Sequence, residues 1–260
     1  AHLHMKRRYT VDSIEYDRVD EDLPGVQVDI PKLKRGGVNV IWLSEGGPGE
    51  FAVDAEAMSR GVVEPNQSPA VRTSFYGSSE PHRMLRGFDA MRRLFSDFSD
   101  DLEQATSVRQ ASEINARGKI AVFIHTEALL IGNDLAVLRG YHGLGLRCSG
   151  LVHNAPLDWV DNDHEQREPG GLTDFGRRVV REMNALHMVI DASHASQQAV
   201  RDVLQESKHP IVASHSNAKQ LSSIQRNLTD EQIKGIAAGG GVIGIHCSSA
   251  FVDIDCLRGR

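Results

Sequence analysis

The sequence of 260 residues predicts an α/β fold, a (β/α)8 barrel of the TIM type. Apolar runs of strand length alternate with helical patterns, which predicts a parallel sheet with helical crossovers. Polar residues follow nearly every run. With residues 1–5 counted as a strand, the runs number seven, one short of a closed barrel. The second choice is a doubly wound open sheet, whose site residues would gather at one switch point.

We expect this barrel to be a single domain over residues 1–260. We also expect this barrel to be incomplete at its C-terminal end, because the chain stops at Arg260 where a last helix and strand would follow.

Seven apolar runs bounded by glycine or polar residues are typical of buried parallel strands. They are residues 1–5, 38–43, 119–124, 146–152, 188–191, 210–213 and 242–246. Apolar residues at three- and four-residue spacings predict helices between them. These helices cover residues 82–102, 107–116, 135–144, 172–186 and 197–206, and a last helix begins at Thr229 and ends at the glycines 239–241. Residues 6–30 have little periodicity and are expected to form a loop.

Composition limits the class of function. Hydrophobic residues make up 40% and charged residues 25% of the chain, which is ordinary for a globular protein. The net charge of −6 argues against a general nucleic-acid-binding protein, which usually carries a basic face. No apolar run is long enough to span a bilayer, so we expect no transmembrane segment.

The cysteines indicate a reducing compartment. Cys148, Cys247 and Cys256 are an odd and widely spaced set, unlike a disulfide framework or a cysteine-rich zinc site. We therefore expect a cytoplasmic protein, although the abrupt start at Ala1 leaves room for a native N-terminal signal ahead of it. The sequence does not give the oligomeric state, and a homodimer is compatible with it.

Two histidines occupy matched positions in successive strand–helix units. His194 follows the run 188–191, and His215 follows the run 210–213. Because the carboxyl ends of parallel strands meet at one rim, which is the catalytic face of a barrel, the two imidazoles should lie side by side. A lone histidine near a strand end is more often a hydrogen-bonded structural residue. For a matched pair, we favour ligands of zinc or a similar divalent ion.

Further polar residues follow other strands and extend this site. Glu127 and His153 each follow a predicted strand, and His2 and His4 lie on the first one. Alternation along a strand puts both imidazoles of a His-x-His pair on one face, which suits chelation. The alternative interpretation of His2 and His4 is the remnant of an expression tag.

A metal site of this composition can perform hydrolysis. The two oxygens of Glu127 could bridge two divalent ions, which together activate water and polarise a carbonyl. Arg226, in the loop after His215, could clamp a carboxylate with two parallel hydrogen bonds. From its position alone, a solvated loop arginine is the more common outcome.

Six segments give the chain a resemblance to the membrane (renal-type) dipeptidase family of zinc metallopeptidases, which are amidohydrolase-like. The segments run in the family's order and cover most of the chain from residue 29 to about 250. They are residues 29–38 (DIPKLKRGGV), 131–139 (IGNDLAVLR), 171–184 (GLTDFGRRVVREMN), 191–194 (DASH), 213–218 (ASHSNA) and 226–232 (RNLTDEQ).

The resemblance implies a (β/α)8 barrel that hydrolyses dipeptides with two zinc ions. By position, Glu127 resembles the bridging carboxylate, and His194 and His215 resemble ligands of the second metal. His153 resembles the histidine that contacts substrate and the developing oxyanion, and Arg226 the arginine that grips the substrate carboxylate. The family's first strand carries a His-x-Asp pair, so the resemblance favours a native strand with His2 and His4 as ligands.

Three positions depart from the family pattern. His4 stands where the family has Asp, which keeps a ligand but removes a negative charge. Ala128 and Leu129 follow Glu127 in place of two glycines and would narrow the site. The family's catalytic Asp in a Gly-Ser-Asp-Phe-Asp-Gly type of motif is absent, and Asp253 and Asp255 come too early to replace it.

These observations support a leading hypothesis and two alternatives. The leading hypothesis is a metallodipeptidase that acts on dipeptide-like small molecules through a metal-activated water. The second is a related amidohydrolase or biosynthetic tailoring enzyme with a non-dipeptide substrate, which the residues after Glu127 motivate. The third is a catalytically impaired binding homologue, which the missing Asp motivates.

Overall fold

A computed structural model describes the chain as two compact units. The N-terminal unit comprises Leu3–Ile124 and Leu130–Gly132, and the C-terminal unit comprises Ala1–His2, His125–Leu129 and Asn133–Arg260. The expectation of one domain over the whole chain stays a prediction. The structure describes residues 2–3, 5, 7–9, 14–16, 18–26, 28–45, 80–163 and 170–253.

The N-terminal unit contains most of the elements up to residue 124. In chain order they are β1 (His2–Leu3), β2 (Arg7–Tyr9), β3 (Ile14–Tyr16), α1 (Ile30–Arg35), β4 (Val40–Glu45), α2 (Glu80–Asp97), β5 (Leu102–Gln104), α3 (Val108–Ala116) and β6 (Ile120–Thr126). The first residue of β1 and the last two of β6 belong to the C-terminal unit. Strand β4 neighbours β6, and β5 pairs with β6 in parallel.

Apolar side chains hold β6 against α3. Ala105, Ala111, Ile114 and Ala121 form a buried cluster, and Phe123 packs on it. Helix α3 begins where the Ser107 side chain accepts a hydrogen bond from the Gln110 peptide nitrogen. The cluster therefore packs α3 and β6 together within the N-terminal unit.

The C-terminal unit continues the strand–helix alternation. Its further elements are α4 (Leu135–Gly143), β7 (Leu146–Gly150), α5 (Asp174–Ala185), β8 (Val189–Asp191), α6 (Gln197–Glu206), β9 (Val212–Ala213), α7 (Asp230–Ala238), β10 (Val242–Ile243) and α8 (Ser249–Val252). Strands β7, β8, β9 and β10 pair in that order. All three pairings are parallel, so the carboxyl ends of these strands lie on one side.

Helix boundaries in this unit follow from capping side chains. The Thr173 hydroxyl accepts from the Gly176 peptide nitrogen at the start of α5. At the start of α7, Thr229 and Gln232 form a reciprocal capping box. Buried apolar residues on one face of α5, among them Val179, Val180 and Met183, hold this helix on the core.

The short strands are where the sequence analysis is wrong. The sequence pattern predicts a loop over residues 6–30, but β2 and β3 in this range pair as antiparallel strands. The predicted helix 82–102 ends at Asp97, and β5 begins at Leu102. Strands of three residues carry too little periodicity to be recognised in a sequence. Within the described residues, no helix is long and apolar enough to cross a membrane.

Candidate metal centre

Glu127, His194 and His215 bring one ligand atom each to a common point in the C-terminal unit. These three atoms all lie within 4.8 Å of one another. The Oε1 atom of Glu127 is 3.6 Å from His215 Nε2 and 4.0 Å from His194 Nε2. The two Nε2 atoms are 3.0 Å apart. One carboxylate and two imidazoles are the donor types that bind zinc and related ions, so the cluster is consistent with a metallopeptidase metal site.

A glycine on the neighbouring strand makes room for Glu127. A Cβ atom at Gly150, the last residue of β7, would lie 2.1 Å from the carbonyl oxygen of Glu127. Such a distance is far inside van der Waals contact. The close backbone approach of β7 to the end of β6 therefore requires glycine at position 150.

His194 reaches the cluster through an unusual backbone conformation. Its φ of 68° lies in the left-handed region, which few residues other than glycine adopt. Its carbonyl oxygen accepts a hydrogen bond from the Asp163 peptide nitrogen at 2.9 Å. Burial, followed by the positive charge of Arg226, holds the pKa of His194 well below its usual value. The imidazole is therefore neutral near pH 7, as a metal ligand must be.

Contacts of Nδ1 and of the peptide nitrogen orient the imidazole of His215. The Ser214 hydroxyl lies 2.7 Å from His215 Nδ1, and the His215 peptide nitrogen donates to Ser193 Oγ at 3.2 Å. These contacts turn Nε2 towards Glu127, which is the geometry expected of a ligand.

His153 lies beside the three donor residues. Its Nε2 is 3.4 Å from Glu127 Oε2, and its ring centroid is 4.0 Å from that of His194. The backbone carbonyl of His153 accepts a hydrogen bond from the Asn162 amide at 3.2 Å. The structure thus brings His153 to the predicted site, next to the cluster.

Arg226 is buried, so it is not a solvated loop arginine. Its side chain is only 7% exposed, and Nη1 donates to Ser216 Oγ at 3.2 Å. Within the described part of the chain, Nε and Nη2 have no hydrogen-bond partner. Burial lowers the pKa of Arg226, and the carboxylates of Asp163, Asp191 and Glu127 oppose this shift. A desolvated guanidinium with unused donors is suited to an anionic ligand.

His2 and His4 are the other two predicted ligands. His2 belongs to β1, but its side chain lies outside the described residues, as does all of His4. Their roles as metal ligands stay predictions, and with them the number of ions.

Two buried residues of the site were not among the predicted ones. Asp191 ends β8 and accepts a hydrogen bond at 3.1 Å from His125 Nε2, and both side chains are almost fully buried. The sequence contains one signal for each. Asp191 begins the 191–194 segment, and His125 precedes Glu127 by two residues, which places both on the same face of an extended strand.

Comparison with known proteins agrees with this geometry. The chain matches the family described as membrane dipeptidase (peptidase family M19) over residues 2–256. It is 30% identical over 224 residues to dipeptidase aclJ of Aspergillus oryzae, covering 84% of this chain and 49% of that protein. It is 32% identical over 173 residues to the uncharacterized dipeptidase C965.12 of Schizosaccharomyces pombe, covering 65% and 42%. The chain therefore spans about half the length of these curated relatives.

Solved structures also resemble the fold. The probable dipeptidase PvdM from Pseudomonas aeruginosa has a TM-score of 0.77 and 27% identity, over 94% of this chain and 61% of that one. A metallo peptidase from Rhodobacter sphaeroides, liganded with a phosphinate mimic of the dipeptide L-Ala-D-Ala, has a TM-score of 0.67 and 26% identity, over 90% and 69%. The predicted fold class is confirmed as a parallel α/β arrangement consistent with part of a TIM-type barrel. The chain belongs to the membrane dipeptidase family, peptidase family M19.

Proposed function

We propose that this protein is a metal-dependent dipeptidase that hydrolyses the peptide bond of dipeptides. The observation that carries the proposal is the cluster of Glu127, His194 and His215 in the same compact unit as the buried guanidinium of Arg226. Support also comes from the Rhodobacter sphaeroides relative, whose ligand is a dipeptide mimic.

The donor residues fit a divalent ion. Glu127 is only 4% exposed, so its carboxylate is largely removed from water and requires a compensating positive charge. His194 supplies a neutral imidazole, and we propose zinc as the metal because carboxylate and imidazole are typical zinc ligands. A second zinc ion would depend on His2 and His4. When bound, zinc supplies Lewis acidity towards a carbonyl and lowers the pKa of water.

The protein's own residues would bind and orient the dipeptide. Arg226 would receive the terminal carboxylate through Nε and Nη2, because Nη1 already donates to Ser216. His153, whose Nε2 lies close to Glu127, would donate a hydrogen bond to the carbonyl oxygen as negative charge develops there. Burial of both side chains strengthens these interactions, because little water competes for them.

A metal-reconstitution experiment tests the proposal. The protein is stripped of metal, titrated with zinc, and assayed against L-Ala-D-Ala and a panel of L,L-dipeptides, with metal content measured by mass spectrometry. We expect zinc to bind and hydrolysis to depend on it. Glu127→Gln should lose both, whereas Glu113→Gln, which changes an exposed glutamate on α3, should lose neither.

Two results would contradict the proposal. One is a parent protein that binds no zinc, and the other is a zinc-loaded protein that hydrolyses no dipeptide. In the second case, hydrolysis of other small amides would favour the alternative of a related amidohydrolase or tailoring enzyme. Leu129 supports that alternative, because it is fully buried two residues after Glu127 where the family usually has glycine.

The cytoplasmic location and a homodimer also stay predictions.

A further inference from the structure

Asp191 is the centre of a hydrogen-bond network behind the metal centre. Its Oδ1 accepts from the peptide nitrogens of Ser193 at 3.0 Å and Ser214 at 2.9 Å. Its Oδ2 accepts from His125 Nε2 and contacts the Ser214 hydroxyl. Each carboxylate oxygen thus has two donors, and the side chain is 1% exposed. An arrangement with this many donors stabilises the ionised carboxylate.

The pKa of Asp191 agrees with the geometry. Burial alone would raise it, but the hydrogen bonds from His125 and Ser214 lower it to below its usual range. An ionised carboxylate can only accept hydrogen bonds. The single hydroxyl proton of Ser214 therefore points towards Asp191.

The direction of this proton determines the tautomer of His215. Because Ser214 uses its proton for Asp191, its oxygen can only accept from His215 Nδ1, 2.7 Å away. Nδ1 must then carry the imidazole proton, which leaves a lone pair on Nε2. That atom is the one that lies 3.6 Å from Glu127 Oε1.

We propose that Ser214, hydrogen-bonded to the Asp191 carboxylate, is a positioning residue that fixes His215 in its Nδ1–H tautomer and prepares Nε2 to bind a metal. The inference rests on the proposed role of His215 as a ligand. Carboxylate groups commonly orient metal-binding imidazoles directly, and removing such a partner typically lowers metal affinity by about 10- to 100-fold. Here a serine hydroxyl stands between the two groups.

His194 offers an internal comparison. In the described part of the chain, its Nδ1 atom has no hydrogen-bond partner. The two imidazoles whose Nε2 atoms lie 3.0 Å apart are therefore held differently, one through a hydrogen-bond relay and the other through its backbone conformation. The relay predicts an effect of Ser214 on His215 that His194 does not share.

Nitrogen-15 NMR of the histidine rings in metal-free protein tests the tautomer directly. At a pH where the ring is neutral, we expect His215 to show a protonated Nδ1 and an unprotonated Nε2. Ser214→Ala should shift His215 towards the Nε2–H tautomer, and Ser214→Thr, which keeps the hydroxyl, should retain the parent pattern. A His215→Gln variant assigns the signals.

Ser149→Ala is the matched control. Ser149 is a buried serine on β7, and its hydroxyl contacts Thr126 Oγ1 at 2.8 Å and the Gly150 carbonyl at 2.7 Å. This variant also loses a serine hydroxyl, but neither of these two contacts is with an imidazole. We expect the His215 signals to stay as in the parent.

Zinc affinity, measured by competition with a chromophoric chelator, gives a second readout. We expect Ser214→Ala to weaken zinc binding by about 10- to 100-fold, Ser214→Thr to restore most of it, and Ser149→Ala to change it little. The proposal is overturned if His215 in the parent carries its proton on Nε2, or if Ser214→Ala changes neither the tautomer nor the affinity. Neither readout involves a dipeptide, so a failed hydrolysis assay would not affect the result.

Discussion

The burial of Arg226 changes its expected role from a solvated loop arginine to a binding residue for an anion. A guanidinium that is 7% exposed gives up most of its hydration. Among the described residues, Nη1 donates to Ser216, and Nε and Nη2 have no hydrogen-bond partner. A buried N–H group without an acceptor lowers the stability of the folded protein, unless a ligand accepts its hydrogen bond. A dipeptide always presents a carboxylate at its C-terminal end, and this anion matches the planar pair of donors.

Replacing Arg226 with Met should weaken binding of the transition state by roughly 2–5 kcal/mol, the scale for losing one partner of a buried charge pair. The effect should appear as a fall in kcat/KM for dipeptides with a free C-terminus. Arg226→Lys should recover little, because an ammonium group does not offer two parallel donors. As a comparison, Arg109→Met changes an exposed arginine on α3 and should leave kcat/KM as it is.

The same ratio of efficiencies for free and C-terminally amidated dipeptides in Arg226→Met and in the parent would show that Arg226 is not the carboxylate clamp. The proposed substrate class would then lose its main support, although the metal centre would be unaffected.

The pairing of strands determines where the site residues lie. Asp191 on β8 is in register with Val212 on β9. This register brings together Ser193 and Ser214, which follow these strands, and their Oγ atoms lie 3.4 Å apart. On β7, the approach of Gly150 to Glu127 sets the position of the carboxylate in the same way. The site therefore depends on backbone spacing between strands as well as on its ligands.

Gly150→Ala should disturb the metal centre from the neighbouring strand. The added methyl group would lie 2.1 Å from the Glu127 carbonyl oxygen, so the backbone before the ligand must move. Overpacking of this kind costs about 1–3 kcal/mol. We expect a lower midpoint of urea unfolding together with weaker zinc binding.

Gly140→Ala is the control for this substitution. Gly140 lies inside α4, and a Cβ atom there would meet nothing within 4 Å. The change should raise stability by roughly 0.5–1 kcal/mol, since alanine suits a helix interior better than glycine. Unchanged zinc binding in Gly150→Ala would mean that the close approach of Gly150 to the Glu127 backbone does not set the position of this carboxylate.

Across the whole molecule, the sequence predicts the elements that have long periodic patterns. It does not predict contacts between residues that are far apart in the chain. The run 119–124 and the helix 197–206 agree closely with β6 and α6. Glu127, His194 and His215 could be grouped because each follows a parallel strand. The three-residue strands β2, β3 and β5 could not be recognised, because they span little more than one period.

The network behind the site could not be predicted for a different reason. The contacts of Asp191 with His125 and Ser214 join residues 66 and 23 positions apart in the chain. Which of them meet depends on strand register and on side-chain rotamers, neither of which the sequence pattern specifies. The burial of Arg226 has the same origin, since nothing local distinguishes it from an exposed loop arginine.

Binding of a divalent metal ion by Glu127, His194 and His215 can be observed by anomalous diffraction at the zinc absorption edge, from crystals grown with zinc. We expect a peak about 2.0–2.2 Å from Nε2 of His194, Nε2 of His215 and a carboxylate oxygen of Glu127. A second peak near His2 and His4 would support two ions. If no peak lies within bonding distance of either His194 or His215, these residues are not metal ligands.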